Sequence, residues 1–190
     1  METIGSRAVY ANPWMRVRED TVLRPDGGAG IYGVIERANF AMIIPMDGDR
    51  LHLVEQFRYP VNRRCWEFPA GSPPPGTHAD PIDLAHRELR EETGLRARSM
   101  TYLGALDVAA GMTAQRGHVY LATDLTAGPP QRECEEQDMR STWLPRVMVE
   151  SMINAGEISE ASSVAAYTLL LLHERGGGAQ VCHRAGNGNR

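Results

Sequence analysis

Apolar positions along the chain alternate over short stretches and shift to helical spacing in only three places. From residue 6, SRAVYANPWMRVREDTVLRPDG mixes short apolar runs with charge and turns at 24–27. GIYGVIE follows, so residues 8–36 predict one or two antiparallel hairpins. FAMIIPM, residues 40–46, reads as a buried strand. After a Gly-Asp-Arg turn, LHLVEQF reads as a second, with Leu51, Leu53 and Phe57 on it. Residues 58–81 show no periodicity and hold six of the 12 prolines, yet Tyr59, Trp66 and Phe68 within them demand burial.

A helix then begins at a clear start signal. Asp80 caps it, Pro81 suits its first position, and Asp83 sits where a capping box places an acid. Ile82, Ala85 and Leu89 recur at helical spacing and are expected on the core face. Gly94 supplies the left-handed stop. SMTYLGALDVA, RGHVYLATDL and MRSTWLP predict further strands, with an acidic loop over residues 126–138 between the last two. RVMVESMINAGEIS predicts a helix ending at Gly156, and EASSVAAYTLLLLHER a final one. The final helix carries an apolar stripe of Val164, Tyr167, Thr168, Leu171 and Leu172. There is no internal repeat. This order of elements fits the α/β class, as a layered α/β/α sandwich with mixed and antiparallel sheets. The divisions expected are N-terminal strands over 1–35, a main domain over 36–175 and a glycine-rich flexible tail over 176–190.

Composition narrows the function classes. At 190 residues the chain supports one sizeable core. Twenty basic against 24 acidic residues leave no basic excess for a nucleic-acid partner. Cys65, Cys134 and Cys182 form neither a disulfide framework nor a zinc spacing, which suits a reducing compartment. The first residues lack a secretory pattern, and FAMIIPM and VAAYTLLLL are too short to span a bilayer. No membrane partner is therefore expected, and the expected location is cytoplasmic.

The chemistry concentrates in RELREETG, Arg87 to Gly94. Three glutamates on barely two helical turns repel one another, and Arg87, four residues before Glu91, offsets only part of that cost. At about 100° per residue, Glu88, Glu91 and Glu92 fall on one arc beside the core face. Partly desolvated carboxylates there suit a hard cation such as magnesium. Spacing alone favours a solvated helix with ordinary ion pairs.

Residues 87–95, Arg-Glu-Leu-Arg-Glu-Glu-Thr-Gly-Leu, resemble the second half of the Nudix box. Trp66-Glu67-Phe68-Pro69-Ala70-Gly71 is similar to the segment that opens the box in the ADP-ribose pyrophosphatase branch. Glu55-Gln56-Phe57-Arg58-Tyr59-Pro60 and Asn12-Pro13-Trp14 also resemble that branch, and the similarity runs from about residue 8 to about 172. The resemblance implies a Nudix fold that hydrolyses the pyrophosphate bond of ADP-ribose or a related nucleoside diphosphate sugar. The products are a nucleoside monophosphate and a sugar phosphate. The implied cofactor is magnesium, with manganese as a substitute. It implies that Glu88, Glu91, Glu92 and the Ala70 carbonyl hold metal and that Arg87 orients the glutamates. Arg58, Glu67 and Trp66 would contact substrate. The branch places its base on a late loop, where Glu133, Glu135 and Glu136 compete; Glu136, seven residues before Trp143, fits the register best. His78 and His118 are not needed. Members of the branch usually dimerise through N-terminal strands, so a homodimer using Tyr10, Trp14 and Val17 is expected, with a monomer that buries the same residues intramolecularly as the alternative.

One position departs from the pattern. The family has a glutamate eight residues before the box arginine, whereas this chain has Ala79 in a loop two residues longer than usual. Counting from the glycine end puts Thr77 there instead. That glutamate braces the loop through the arginine, so Asp80 or, better placed, Asp83 is expected to brace Arg87. The departure also raises an alternative: a weakly active or inactive Nudix-fold nucleotide-binding sensor.

Overall fold

The computed structural model describes residues 1–132 and 136–177. Three strands open the chain: β1 (Glu2–Ala11), β2 (Arg16–Leu23) and β3 (Ala29–Glu36). They form an antiparallel sheet in the order β1-β2-β3, its first turn tied by the Asn12 carboxamide, which accepts from the amides of Trp14 and Met15. The sheet leans on the rest of the chain through Ile35 N–H to the Met112 carbonyl (2.7 Å) and Tyr32 Oη–H to the Gly111 carbonyl (2.8 Å).

The second sheet is mixed. β4 (Phe40–Asp47) and β5 (Arg50–Arg58) pair only beside their turn, at Met46–Leu51 and Asp47–Arg50, and then diverge. β4 runs parallel to β9 (Arg116–Thr126), which pairs antiparallel with β8 (Arg96–Asp107). β5 takes β10 (Arg140–Pro145) on one side and β6 (Arg63–Glu67) on the other. The two-residue β7 (Ala70–Gly71) adds to β4. Thus the stretch 58–81 is not one irregular loop. It contains β6 and β7, whose partners lie elsewhere in the chain and leave no local periodicity.

Helices cover both faces. α1 (Pro81–Thr93) packs Leu84, Ala85 and Leu89 against Ala41, Ile43 and Tyr120. On the other side α2 (Arg146–Asn154) and α3 (Ala161–Arg175) pack Val149, Met152, Ala166, Tyr167 and Leu170 against Ile44, Leu53, Phe68 and Val119. The result is the α/β/α sandwich. The buried faces differ in detail from those expected. Ile82 is exposed and Leu84 takes its place on the core face. Tyr59 and Phe57 are also exposed. On α3 the core face is Ser163, Ala166, Tyr167 and Leu170, whereas Thr168 and Leu172 face solvent. A uniformly apolar LLLL run hides which of its residues face inward.

Cys65 is a buried free thiol; Cys134, Cys182 and most of the expected flexible tail lie outside the described residues. No helix among the described residues is long and apolar enough to cross a membrane.

Candidate active site

α1 starts where the Asp80 carboxylate accepts the Ile82 amide (3.0 Å), with Pro81 in its first turn. It stops at Gly94, whose φ of 76° is left-handed and whose amide returns to the Arg90 carbonyl. Seating Leu84, Ala85 and Leu89 on the sheet fixes the helix rotation, and that rotation drives Glu88 and Glu92 to the edge of the core. Glu92 is 1% exposed and Glu88 7%. The β7 strand end lies directly against them. The Ala70 amide donates to Glu92 Oε2 (3.2 Å), and a Cβ at Gly71 would overlap the Glu88 carboxylate. Glycine at 71 is therefore what lets the strand end approach.

Burial dominates the proton affinities here. It pushes Glu88 up to about 7, against the opposing pull of Arg87. It pushes Glu92 well above the ordinary carboxylate range, with the charges of Glu136 and Glu88 adding to the effect. The charge of Glu136 therefore acts on both helix carboxylates. Glu136 starts a tight turn whose carbonyl accepts the Met139 amide (2.9 Å). Glu133 and Glu135, its rivals, lie outside the described residues. Glu91 is more open and forms ion pairs with Arg87 (3.6 Å) and Arg90 (3.3 Å).

Arg87 Nη2 donates to Glu88 Oε1 (3.0 Å) and to the Ser72 carbonyl (3.3 Å). The expected brace through Asp83 or Asp80 is not formed: Asp83 has no partner among the described residues, and Asp80 is engaged as the helix cap. Among the described residues Arg87 is tied to the long loop through the Ser72 carbonyl instead.

Arg58 and Glu67, expected as separate substrate contacts, form one unit. Arg58 Nε and Nη2 both donate to the Glu67 carboxylate, at 2.9 and 2.5 Å. A carboxylate as buried as Glu67 requires such a partner. Arg58 is held charged first by Glu67 and also by Glu92 and Glu160, which places it at the border of the acidic cluster. Trp66 is half-buried and packs against the α2/α3 core, which accounts for it without a ligand.

Sequence reasoning missed two further arginines. Arg132 Nε donates to the Glu92 carbonyl (3.1 Å), and its other nitrogens reach the Met139 carbonyl and Ser141 Oγ. Arg64 donates to the carboxylate and the carbonyl of Asp138, at 2.7 and 3.0 Å. The one available signal was that Arg132 is the sole basic residue in an acidic loop. His78 and His118 line a separate cleft of about 540 Å³ with Arg37, Phe40 and Leu84, apart from the carboxylates.

Among the described residues no three His, Cys, Asp or Glu side chains converge closely enough to hold a metal ion as placed. The donor chemistry nevertheless fits one. Two buried carboxylates and a third charge beside them are costly together, and a hard divalent cation is the ligand that offsets that cost.

Comparison with known proteins gives a consistent result. Residues 1–35 match the model of the nucleoside diphosphate sugar hydrolase N-terminal domain, and residues 36–165 match that of the NUDIX domain. The ADP-ribose pyrophosphatase of Mycobacterium tuberculosis is 36% identical over 175 residues, 90% of this chain and 83% of the relative. The ADP-ribose pyrophosphatase of Bacillus subtilis is 27% identical over 177 residues, covering 91% and 94%. A crystal structure of an ADP compounds hydrolase superposes with a TM-score of 0.79 at 21% identity, covering 94% of this chain and 96% of the other.

Proposed function

The chain belongs to the Nudix hydrolase superfamily, in its ADP-ribose pyrophosphatase-like branch, and on that premise we propose that it cleaves the pyrophosphate bond of ADP-ribose or a related nucleoside diphosphate sugar with magnesium. The observation that carries this reading is the buried pair Glu88 and Glu92, packed against the Ala70–Gly71 strand end, where burial holds both carboxylates above their ordinary proton affinity although Arg87 pairs with Glu88. Glu88, Glu91, Glu92 and the Ala70 carbonyl would hold the metal, and manganese would substitute. Magnesium bound there supplies charge neutralisation at the pyrophosphate and polarisation of the phosphorus centre.

The chain's own residues do the rest. Glu136 accepts the proton of the attacking water as its oxygen bonds to phosphorus, and the bridging P–O bond breaks to release the nucleoside monophosphate and the sugar phosphate. Arg87 holds the long loop to α1 through the Ser72 carbonyl, keeping the strand end in place. Arg58 has one guanidinium nitrogen, Nη1, outside its Glu67 pair, and that donor would serve a phosphate oxygen. Two copies would associate through the N-terminal sheet.

The sensor alternative drew on the missing carboxylate at 79. Against it stands the Arg87 hydrogen bond to the Ser72 carbonyl, which ties the loop to α1 without a carboxylate at 79. The test is release of AMP from ADP-ribose with and without magnesium, alongside a panel of nucleotide sugars. Magnesium-dependent AMP release is expected. Tight binding of ADP-ribose without turnover would favour the sensor.

A further inference from the structure

The residues holding the candidate base in register are not those of the box. Glu136 sits on the connection between β9 and β10, a polar, acidic segment by composition whose one buried hydrophobic among the described residues is Met139, at its end. Its charge acts on both Glu88 and Glu92, so repulsion works to push it outward. Met139 seats the end next to β10 in the core, and hydrogen bonds must tie the rest of the connection to α1. Two guanidinium groups are placed to do so.

Arg132 joins the two ends of the connection to the helix. Its Nε takes the carbonyl of Glu92, and the adjacent Gln131 amide takes that of Glu91 (2.8 Å). These are last-turn carbonyls of α1, left without a helical donor, and a cation there is favoured by the helix dipole. The same planar group reaches the Met139 carbonyl and, at 3.4 Å, Ser141 Oγ, where β10 begins. The Arg132 carbonyl in turn accepts the side-chain amide of Gln137 (3.1 Å). One rigid fork thus sets the distance between the helix that carries Glu92 and the strand that follows Glu136. Arg64 pins the same end from β6, through both the carboxylate and the carbonyl of Asp138, while also donating to the Glu55 carbonyl (2.9 Å).

We propose that Arg132, seconded by Arg64, is a positioning residue that fixes Glu136 relative to the Glu88–Glu92 pair. The inference rests on the hydrolase reading above. Lysine cannot replace Arg132, since a single ammonium does not span the helix end and the β10 start with fixed geometry.

The experiment is a double-mutant cycle of Arg132→Gln and Glu136→Gln, with Arg132→Lys as a milder variant should the glutamine substitution impair folding. In Arg132→Gln and Arg132→Lys, kcat should fall about 10- to 100-fold, the scale of a small misplacement of a reacting group. KM and the magnesium-induced rise in Tm should stay as in the wild type. In the Glu136→Gln background the same substitutions should cost less than about threefold, because there is no base left to position. Equal losses in both backgrounds, a loss expressed in KM, or a wild-type kcat in both variants would overturn the inference while leaving the hydrolase reading intact. A wild-type protein inert on every nucleoside diphosphate sugar would overturn both.

Discussion

Glu92 is held in a place that suits a metal ligand better than it suits the metal-free fold. Its carboxylate is fully buried with one backbone amide as partner. Glu92→Gln keeps that amide's acceptor and removes the charge. We expect metal-dependent turnover to drop by about 100-fold or more, the scale of removing a group that acts on transition-state charge. Metal-free Tm at pH 8 should rise in the same variant, and a fall there would mean the charge is balanced within the protein. Glu88 gives the corresponding pH dependence. Its pKa in the fold is about 7 against an ordinary 4.5, so its stabilising protonated form is fully present below 4.5 and lost as pH rises through 7. Glu92 is shifted in the same direction. Magnesium takes the deprotonated carboxylates, so its effect on Tm should be small at pH 5 and full at pH 8. His52 runs the opposite way. Buried with its pKa lowered to about 4, it favours the fold above 6.5 and costs stability as pH falls toward 4. Comparing melts with and without magnesium at each pH cancels that contribution, and a gain independent of pH would contradict the assignment. At this scale the box glutamates were legible from the resemblance of residues 87–95 to the Nudix box, since helical spacing alone fits a solvated face as well. The Arg58–Glu67 pair was not, since it depends on β5 lying beside β6.

At the scale of elements, α1 was the most legible piece, since both of its ends are signalled by local chemistry: Asp80 and Pro81 at the start, Gly94 at the stop. β6 and β7 were the least. Five and two residues long, they are strands only because β5 and β4 are there to pair with them. β7 is nonetheless the element that closes the site, and Gly71 tests it. In Gly71→Ala the new Cβ meets the Glu88 carboxylate, so Glu88 must swing away. Magnesium affinity, read by titration calorimetry, should fall at least about tenfold. Gly76→Ala is the control in the same loop. Its φ of 74° makes alanine strained, at roughly 1 kcal/mol, but a Cβ there meets nothing. It should lower Tm slightly and leave magnesium affinity unchanged. Similar affinities in the two variants would separate the strand end from metal binding.

The whole molecule has one conspicuous imbalance. Residues 36–175 cover both faces of their sheet with helices, whereas the N-terminal sheet has only three strands and no helix of its own. β1 is exposed at all ten positions, and its outer edge pairs with nothing among the described residues. Ile4, Val9, Tyr10 and Trp14 are exposed with it, and Ile31 on β3 is 73% exposed. A small sheet with an open edge and bare apolar side chains gains little stability alone and invites pairing with another chain. The alternating pattern of residues 8–36 made these strands legible, but not that the sheet would lack a cover, because cover is a property of what lies opposite. A second copy is the simplest cover, since identical sheets can pack across a two-fold axis. Val9→Glu combined with Ile31→Glu places charge on that surface without touching the core of the main domain. The wild type should sediment at twice the chain mass at micromolar concentration, and the double variant at the chain mass with its far-ultraviolet spectrum unchanged. A wild type already at the chain mass would remove the dimer and leave the exposed sheet to another partner. If the variant is a folded monomer and kcat falls with the change in mass, the partner subunit contributes to the site; if kcat holds, each subunit carries a complete one.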